Sequence, residues 1–278
     1  MNEEQAITAQ MYANEGPLQV RFQTHQRYTQ PPVDFPAWVL DRVPWRGDEV
    51  VLDVGCGSGA YIEPVVARLQ RDGWLASADL SWGMLQDAAA NAAAHQHTYP
   101  PAFLNADAMR LPLLDASCDV VFANHILYHI PQIETAVAEF HRVLRPGGRL
   151  VAATNARDSM QRFFTEAEMA CEALGFPSDL RPAAARMRFT LENGTRILKS
   201  RFPDVKQVVL ESALLFPEAA PAVAYVDSLR HAYEPLLPEG LVWERLIEQV
   251  ERQIENQIEE AGAYRVAKTA GVFVASRQ

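Results

Sequence analysis

Basic residues are scarce in this sequence relative to acidic ones. Its 278 residues include 25 Lys and Arg against 35 Asp and Glu, which gives a formal net charge of -10. A negative chain of this kind repels a polyphosphate backbone, so nucleic acid is excluded as a main partner. We therefore expect a small-molecule substrate, and the overall charge favours a neutral or cationic one.

Cysteine and long apolar runs are also scarce. Cys56, Cys118 and Cys171 are odd in number and far apart, which favours free thiols in a reducing compartment over a disulfide framework or a metal site. No window approaches the roughly 20 apolar residues that a membrane span requires. The first ten residues lack a basic region followed by an apolar run. We expect a cytoplasmic protein with no membrane span and no bound metal.

Short apolar runs do alternate with amphipathic segments between residues 50 and 154. This alternation predicts an α/β fold of the Rossmann-like, doubly wound kind with a mostly parallel sheet. Two later runs, residues 205–216 and 264–276, complete a predicted seven-stranded sheet, whose closing strand we expect to be antiparallel.

The remaining segments are predicted to be helical. Residues 1–45 lack a strand pattern, so we expect them to lie over the strand ends as a helical lid, outside the sheet. The domain proper then covers residues 46–278, with helical cap insertions at about 157–200 and 217–262. In the second insertion apolar residues recur at helical spacing from Leu241 to Ile258, which predicts a helix that packs one stripe onto the body.

Polar residues end the first four predicted strands. They are Asp53, Asp79, Asp107 and Asn124, in chain order. Because open parallel sheets bind ligands at the carboxyl ends of their strands, these four residues are expected to surround one ligand.

A glycine-rich loop follows the first strand in the stretch "VLDVGCGSGAY", residues 51–61. The Gly55-x-Gly57 spacing is typical of sites for an adenosine-containing cofactor, and by itself it fits both dinucleotides and S-adenosylmethionine. Asp53 argues against a dinucleotide, because its carboxylate would face two negative phosphates, whereas it would attract a cationic α-amino group. Asp79 suits the ribose hydroxyls of either cofactor.

Four stretches together resemble a known family. In order and spacing, "VLDVGCGSGAY", "SADLSWGML", "NADAMRLPLLDASCDVVFANHILYHI" and "RVLRPGGRLVAAT" are similar to the class I S-adenosylmethionine-dependent methyltransferases, particularly the small-molecule branch that includes the ubiquinone and menaquinone methyltransferases. The resemblance covers residues 50–154 and is weaker through the two closing strands. It implies S-adenosyl-L-methionine as cofactor, S-adenosyl-L-homocysteine as its product, and methyl transfer to a small, partly apolar acceptor by in-line displacement.

The resemblance also implies roles for individual residues. Asp53 would lie near the cofactor ammonium, Asp79 would bind the ribose, and Asp107 would accept from the adenine amine. Leu80 and Met84 would pack on the adenine face. The other residues implied at the cofactor are Gly55, Cys56, Gly57, Ala108 and Asn124.

Five more residues are candidates from their position alone. In the N-terminal segment, Arg21 is placed to reach the cofactor carboxylate, and either Tyr12 or Tyr28 is placed to cover it. His125 and His129 follow the fourth strand at a four-residue spacing, so on a helix they would share a face near the reactive end of the cofactor. Either would serve as a general base, which is required only for an acceptor proton of high pKa.

Two other functions stay open from the sequence. A non-catalytic scaffold or regulatory subunit that binds S-adenosylmethionine would carry the same binding residues. An NAD(P)-dependent oxidoreductase would share the glycine loop, although Asp53 and Asp107 speak against it.

Overall fold

An eight-stranded mixed sheet runs through the protein, which is represented by a computed structural model that describes residues 15–70, 72–95, 100–177 and 188–278. The strands are β1 (Thr29–Gln30), β2 (Val50–Val54), β3 (Trp74–Asp79), β4 (Ala102–Asn105), β5 (Cys118–Phe122), β6 (Leu144–Asn155), β7 (Asp204–Phe216) and β8 (Tyr264–Ser276). Their order in the sheet is β1-β7-β8-β6-β5-β2-β3-β4.

The central strands β2 to β6 pair in parallel. From β2 the chain moves outward to β3 and β4, and then returns to β5 and β6 on the other side of β2. The strand order therefore reverses between β2 and β5, which is the topological switch point where open α/β sheets bind ligands. β8 is antiparallel to both of its neighbours, β6 and β7, so the predicted antiparallel closing strand is confirmed.

The sequence predicts seven strands, one fewer than the eight strands of the sheet. Thr29 and Gln30 form β1, which pairs antiparallel with β7 opposite Leu214 and Ala213. The expectation that residues 1–45 stay outside the sheet is therefore wrong. Two residues are too few to show a strand alternation in the sequence, whereas the edge of β7 offers unpaired backbone groups to any extended segment that reaches it.

Helices cover both faces of the sheet. They are α1 (Glu15–Tyr28), α2 (Phe35–Leu40), α3 (Ile62–Val66), α4 (Trp82–Ala93), α5 (Ile133–Val143), α6 (Gln161–Ala173), α7 (Gly194–Leu198), α8 (Ala219–Asp227), α9 (Arg230–Tyr233) and α10 (Trp243–Ala261). Neighbouring side chains of one strand point to opposite faces of the sheet, because side chains alternate along a strand with a period of two. Val51 packs with α2, α3 and α4, whereas Leu52 packs on the side of α5 and α7.

A separate apolar cluster joins the helical insertions to the far end of the sheet. It unites α6, α8 and α10 with the ends of β7 and β8. Leu246, Val250 and Ile254 of α10 are fully buried in it, and glutamates occupy other faces of this helix. The predicted stripe of α10 is confirmed, and its burial holds the insertion against the body.

The three cysteines are buried and free. Within the described ranges no helix has the length and apolar character needed to cross a bilayer.

Leu246→Ala is predicted to lower the free energy of unfolding by about 3 kcal/mol, because it removes a fully buried side chain and leaves a cavity between α10 and its neighbours. Leu114, whose side chain is 81% exposed, provides the matched control, and Leu114→Ala should change the free energy of unfolding by less than about 0.5 kcal/mol. Urea unfolding measures both values. Equal losses in the two variants would contradict the assigned packing of α10.

Candidate functional site

The glycine loop is tied to the end of β3. The backbone N–H groups of Gly55 and Cys56 both donate to the Ala78 carbonyl, at 2.7 and 3.1 Å. The Gly57 N–H donates to Asp79 Oδ2 at 3.0 Å. These bonds hold the loop across the carboxyl edge of β2 and β3, so that its backbone faces the switch point.

The first two glycines of the loop serve different purposes. Both have positive φ angles, 71° at Gly55 and 54° at Gly57, a region that glycine adopts without strain. A Cβ on Gly55 would lie 2.3 Å from Ile126 Cδ1, whereas a Cβ on Gly57 would meet nothing within 4 Å. Gly55 is therefore needed for close packing on the segment after β5, and Gly57 leaves open space beside the loop.

Asp79 accepts two backbone hydrogen bonds. In addition to the bond from Gly57, its Oδ1 accepts from the Ser81 N–H at 2.8 Å. The Ser81 hydroxyl accepts from the Met84 N–H and caps α4, so Asp79 is not needed for that purpose. A carboxylate has about four acceptor positions, so Asp79 keeps capacity for two ligand hydroxyls.

Asp53 is a buried carboxyl at the end of β2. Its Oδ2 is buried and bonds to no protein group. Burial, and secondarily the negative charge of Asp79, raise the pKa of Asp53 to about 7. A cationic ligand group would favour the ionised form of such a carboxyl, so this position suits an ammonium.

Asn124 lies across the switch point from Asp53. In the sheet register Asp53 is opposite Phe122 on β5, and Asn124 follows two residues later. Both polar atoms of its side-chain amide are buried without a protein partner. Because buried polar groups are nearly always hydrogen-bonded, Asn124 and Asp53 Oδ2 together fit a polar ligand held at this edge.

The residues predicted at an adenine ring lie farther along the edge. Asp107 Oδ1 accepts from the Met109 N–H at 2.9 Å, and Ala108 is buried beside it. Leu80 is 53% exposed, whereas Met84 is only 3% exposed and has little surface to offer a ligand. Of the two predicted apolar contacts, the structure supports Leu80 better.

His125 and His129 do not share a helix face, so the predicted geometry is wrong. His125 has a φ of 57°, and a short 3-10 helix, Leu127–His129, begins only after it. The His125 N–H instead continues the β5–β6 ladder by donating to the Ala153 carbonyl. Burial, then the charge of Lys268, lowers the pKa of His125 to about 4. Burial, then Arg21, does the same for His129, so both imidazoles are neutral at physiological pH.

Arg21 lies on α1, close enough to His129 for its charge to affect that imidazole. Its Nη2 donates to the Ser228 carbonyl at 3.2 Å, while its Nε is buried without a partner. Arg21 thus lies near the segment after β5, and its contact with a cofactor carboxylate stays a prediction. Tyr12 lies outside the described residues.

Sequence reasoning missed two residues that the fold brings to this edge, His25 on α1 and Lys268 on β8. Lys268 is 8% exposed, and its Nζ donates to the Thr29 hydroxyl at 3.3 Å. A signal for Lys268 was present: it occupies an inward position of the strand, in alternation with Val266 and Ala270. His25 gave no comparable signal, because α1 has no clear apolar periodicity.

No trio of His, Cys, Asp or Glu side chains within the described residues is arranged to hold a metal ion. Cys56 packs behind the glycine loop, where burial and the neighbouring carboxyls raise its thiol pKa. Such a thiol is a poor nucleophile, in keeping with a packing role.

The chain is similar to known methyltransferases. The family described as "Methyltransferase domain" matches residues 52–152. A malonyl-(acyl-carrier protein) O-methyltransferase of Serratia marcescens is 32% identical over 56% of this chain and 59% of its own length. A 27-O-demethylrifamycin SV methyltransferase of Amycolatopsis mediterranei is 38% identical over 39% of each chain. The chain spans about half the length, 40% to 59%, of five malonyl-(acyl-carrier protein) O-methyltransferases to which it is similar.

Solved structures share the fold. The (4+2)-cyclase SpnF superimposes with a TM-score of 0.60 at 17% identity, over 97% of this chain and 96% of its own. A phosphoethanolamine N-methyltransferase of Haemonchus contortus, solved with S-adenosylhomocysteine, gives a TM-score of 0.59 at 15% identity, over 100% of this chain and 60% of its own.

The sheet order and the polar carboxyl edge define a Rossmann-like α/β fold whose polar residues gather at the switch point. Asp53, Asp79, Asp107 and Asn124 all lie within residues 52–152, the part of the chain that is similar to the family described as "Methyltransferase domain".

Asp53→Asn is predicted to stabilise the free protein in a pH-dependent manner. The pKa of Asp53 is raised from 3.8 to about 7 in the folded protein. Between pH 3.8 and pH 7 this carboxyl is ionised in the unfolded chain but protonated in the folded protein, so the free energy of unfolding falls as the pH rises through this range. The gain in the free energy of unfolding over the wild type should be about 3 kcal/mol larger at pH 8 than at pH 4. Urea unfolding at both pH values measures it.

Asp204→Asn at the exposed start of β7 removes the same charge and serves as control. Its effect on the free energy of unfolding should stay within about 0.5 kcal/mol at both pH values. A pH-independent effect of Asp53→Asn would show that the Asp53 carboxyl is not held protonated by burial.

Proposed function

We propose that this protein transfers the methyl group of S-adenosyl-L-methionine to a small-molecule acceptor by in-line displacement, with S-adenosyl-L-homocysteine as the product. The observation that carries the proposal is the set of unsatisfied polar groups at the switch point, Asp53 Oδ2 and the Asn124 amide, beside the open space at Gly57. A ligand with an ammonium, a ribose and an adenine matches this edge, since Asp53, Asp79 and Asp107 follow one another along β2, β3 and β4.

The cofactor-binding roles extend this proposal to named atoms. Asp53 pairs with the ammonium, and the backbone at Gly55, Cys56 and Gly57 passes along the methionine part. Asp79 accepts from the ribose hydroxyls through the lone pairs that Gly57 and Ser81 leave free. The residues assigned to the adenine and to the rest of the cofactor are Leu80, Met84, Asp107, Ala108, Asn124, Arg21 and Tyr12.

The bound cofactor supplies an electrophilic methyl group on a sulfonium, so the protein chiefly has to position the acceptor and exclude water. The imidazoles of His125 and His129 are in the neutral form at pH 7, because burial holds their pKa values near 4. We propose them as general bases for an acceptor whose reacting group carries a proton.

The domain organisation is part of the proposal. Residues 1–45 act as a lid whose described part reaches the strand ends: Phe35 lies 5.5 Å from His125, ring centre to ring centre. Residues 46–278 form the catalytic domain, with caps at about 157–200 and 217–262. The acceptor is small and partly apolar, nucleic acid is not a partner, and the protein acts in the cytoplasm.

The relatives include malonyl-(acyl-carrier protein) O-methyltransferases and a 27-O-demethylrifamycin SV methyltransferase. Their names support a small-molecule acceptor that receives the methyl group on an oxygen atom. A second candidate function also has support. SpnF, with the same fold over nearly the whole chain, is a (4+2)-cyclase. A protein that binds S-adenosylmethionine without transferring its methyl group therefore stays an alternative, and a methylation assay with labelled cofactor separates the two.

Asp79→Asn is predicted to weaken S-adenosylhomocysteine binding by about tenfold to a hundredfold, the usual loss for a charged hydrogen-bond acceptor. Asparagine keeps one acceptor oxygen for the loop, so the fold should persist. Isothermal titration calorimetry with S-adenosylhomocysteine measures the loss, and Asp204→Asn should bind like the wild type. Undiminished affinity in folded Asp79→Asn would refute the ribose role, and tight NADH binding with no response to S-adenosylhomocysteine would refute the proposed function.

His125 is predicted to titrate at about pH 4 in the folded protein, because burial and Lys268 disfavour its charged form. NMR titration of the imidazole signals measures this value, and the signal missing from His125→Gln identifies the residue. For an acceptor hydroxyl, this variant should lower the rate of methyl transfer by about a hundredfold. A midpoint near the ordinary value, or an unchanged rate with such an acceptor, would exclude His125 as the base.

A further inference from the structure

Five basic side chains converge beyond the carboxyl ends of β5 and β6. Arg21 and His25 come from α1, His125 and His129 from the segment after β5, and Lys268 from β8. The Lys268 Nζ donates to the Thr29 hydroxyl, which in turn donates to the His25 carbonyl, so β8 and the end of α1 meet here. The charges of Lys268 and Arg21 also contribute to the lowered pKa values of the neighbouring histidines. Arg21 and Lys268 carry the positive charge of this group at pH 7, whereas the three imidazoles are neutral. We call the five residues the cationic cluster.

The strand order places this cluster on the opposite side of the glycine loop from Asp79 and Asp107. From the glycine loop on β2, the sheet continues through β5 and β6 to β8, three strand spacings or about 14 Å away. Asp79 and Asp107 lie in the opposite direction from β2. The last pair between β6 and β8 joins Asn155 to Ala270, so Lys268 lies just past the carboxyl end of β6, at the same edge as Asn124.

The Lys268 side chain points into the protein. It shares a strand face with Val266, Ala270 and Val272, all of which are buried, and it is itself 8% exposed. Its Nζ bonds to the Thr29 hydroxyl, a neutral partner on β1. This contact engages one of the three N–H donors of Lys268, and it leaves the positive charge of the ammonium without a compensating negative charge.

Lys268 has no counter-ion among the described residues. No carboxylate there lies within ion-pair distance of its Nζ, and burial is the sole cause that lowers its pKa, to about 8. It therefore remains mostly protonated at pH 7. Nearby donors are also unsatisfied, since Arg21 Nε and His25 Nδ1 are buried without a partner. Because a buried ammonium without a counter-ion is costly, an anion bound here would be strongly stabilised.

We propose that the cationic cluster binds a carboxylate of the methyl acceptor, so that the substrate is an anionic small molecule. This inference rests on the proposed function, and it revises the expectation of a neutral or cationic substrate drawn from the net charge. A net charge describes the whole surface, whereas a ligand in a cleft responds to the charges that line it. The acceptor carboxylate accepts from Lys268 Nζ and from His25 Nδ1–H, while Arg21 stays with the cofactor. The apolar remainder of the acceptor extends toward Asn124.

Hexanoate and hexanamide, which have the same shape and differ in charge, provide the probes. With the protein saturated by S-adenosylhomocysteine, isothermal titration calorimetry should show hexanoate binding at least about tenfold more tightly than hexanamide. Lys268→Met should abolish this preference while it leaves S-adenosylhomocysteine affinity within about twofold. Lys206→Met, which removes an exposed lysine of β7, should keep both properties and serves as the matched control.

Several outcomes would overturn the inference. One is an equal or undetectable affinity of the wild type for the two probes, which needs no variant to interpret. Another is a preference that survives in Lys268→Met. A loss of S-adenosylhomocysteine affinity in this variant greater than about tenfold would assign Lys268 to the cofactor carboxylate instead. Thermal unfolding checks that Lys268→Met is folded, and Lys268→Arg should restore the preference in part.

Failure of the proposed function gives a different result. In that case the wild type does not bind S-adenosylhomocysteine at all, while the preference for hexanoate is still measurable on the free protein. Binding of S-adenosylhomocysteine together with no preference for hexanoate would instead leave the proposed function intact and refute the carboxylate site alone.

Discussion

The hydrogen bonds between the glycine loop and the end of β3 are the constraint on which the site depends. By donating to Ala78 and Asp79, the loop lies across the edge of the sheet and does not continue away from it. This position presses Gly55 onto Ile126 and leaves open space at Gly57. The ends of β2, β3 and β5 are thereby joined into one surface, to which the polar groups of Asp53 and Asn124 are directed without protein partners.

Charge is distributed unevenly along this surface. Carboxyl groups lie at the ends of β2, β3 and β4, whereas basic side chains gather beyond β5 and β6. The methyl transfer that we propose would take place between these two regions. Burial acts on both of them, raising the pKa of Asp53 and lowering that of Lys268, His25 and His125. Ligand charges of opposite sign on the two sides would relieve this cost.

Much of the fold was predictable because its strands are buried on both faces and stand out as apolar runs. The ends of β2 to β5 carried the polar residues that a switch point requires. The short strand β1 was missed, because two residues are too few to show an alternation of apolar and polar side chains. The shared helix face of His125 and His129 was wrong, because the positive φ of His125 breaks the geometry that a four-residue spacing presumes.

The sequence by itself determined the parallel core and the line of Asp53, Asp79 and Asp107, because each of these residues directly follows a strand whose neighbours the doubly wound topology dictates. Only the tertiary structure decided the opposite side of the site. Arg21, His25 and Lys268 are separated by up to 247 positions along the chain, and no local pattern links them. They meet because β8 is inserted antiparallel beside β6 and α1 packs near its end, and the resulting burial leaves the Lys268 ammonium in need of a counter-ion.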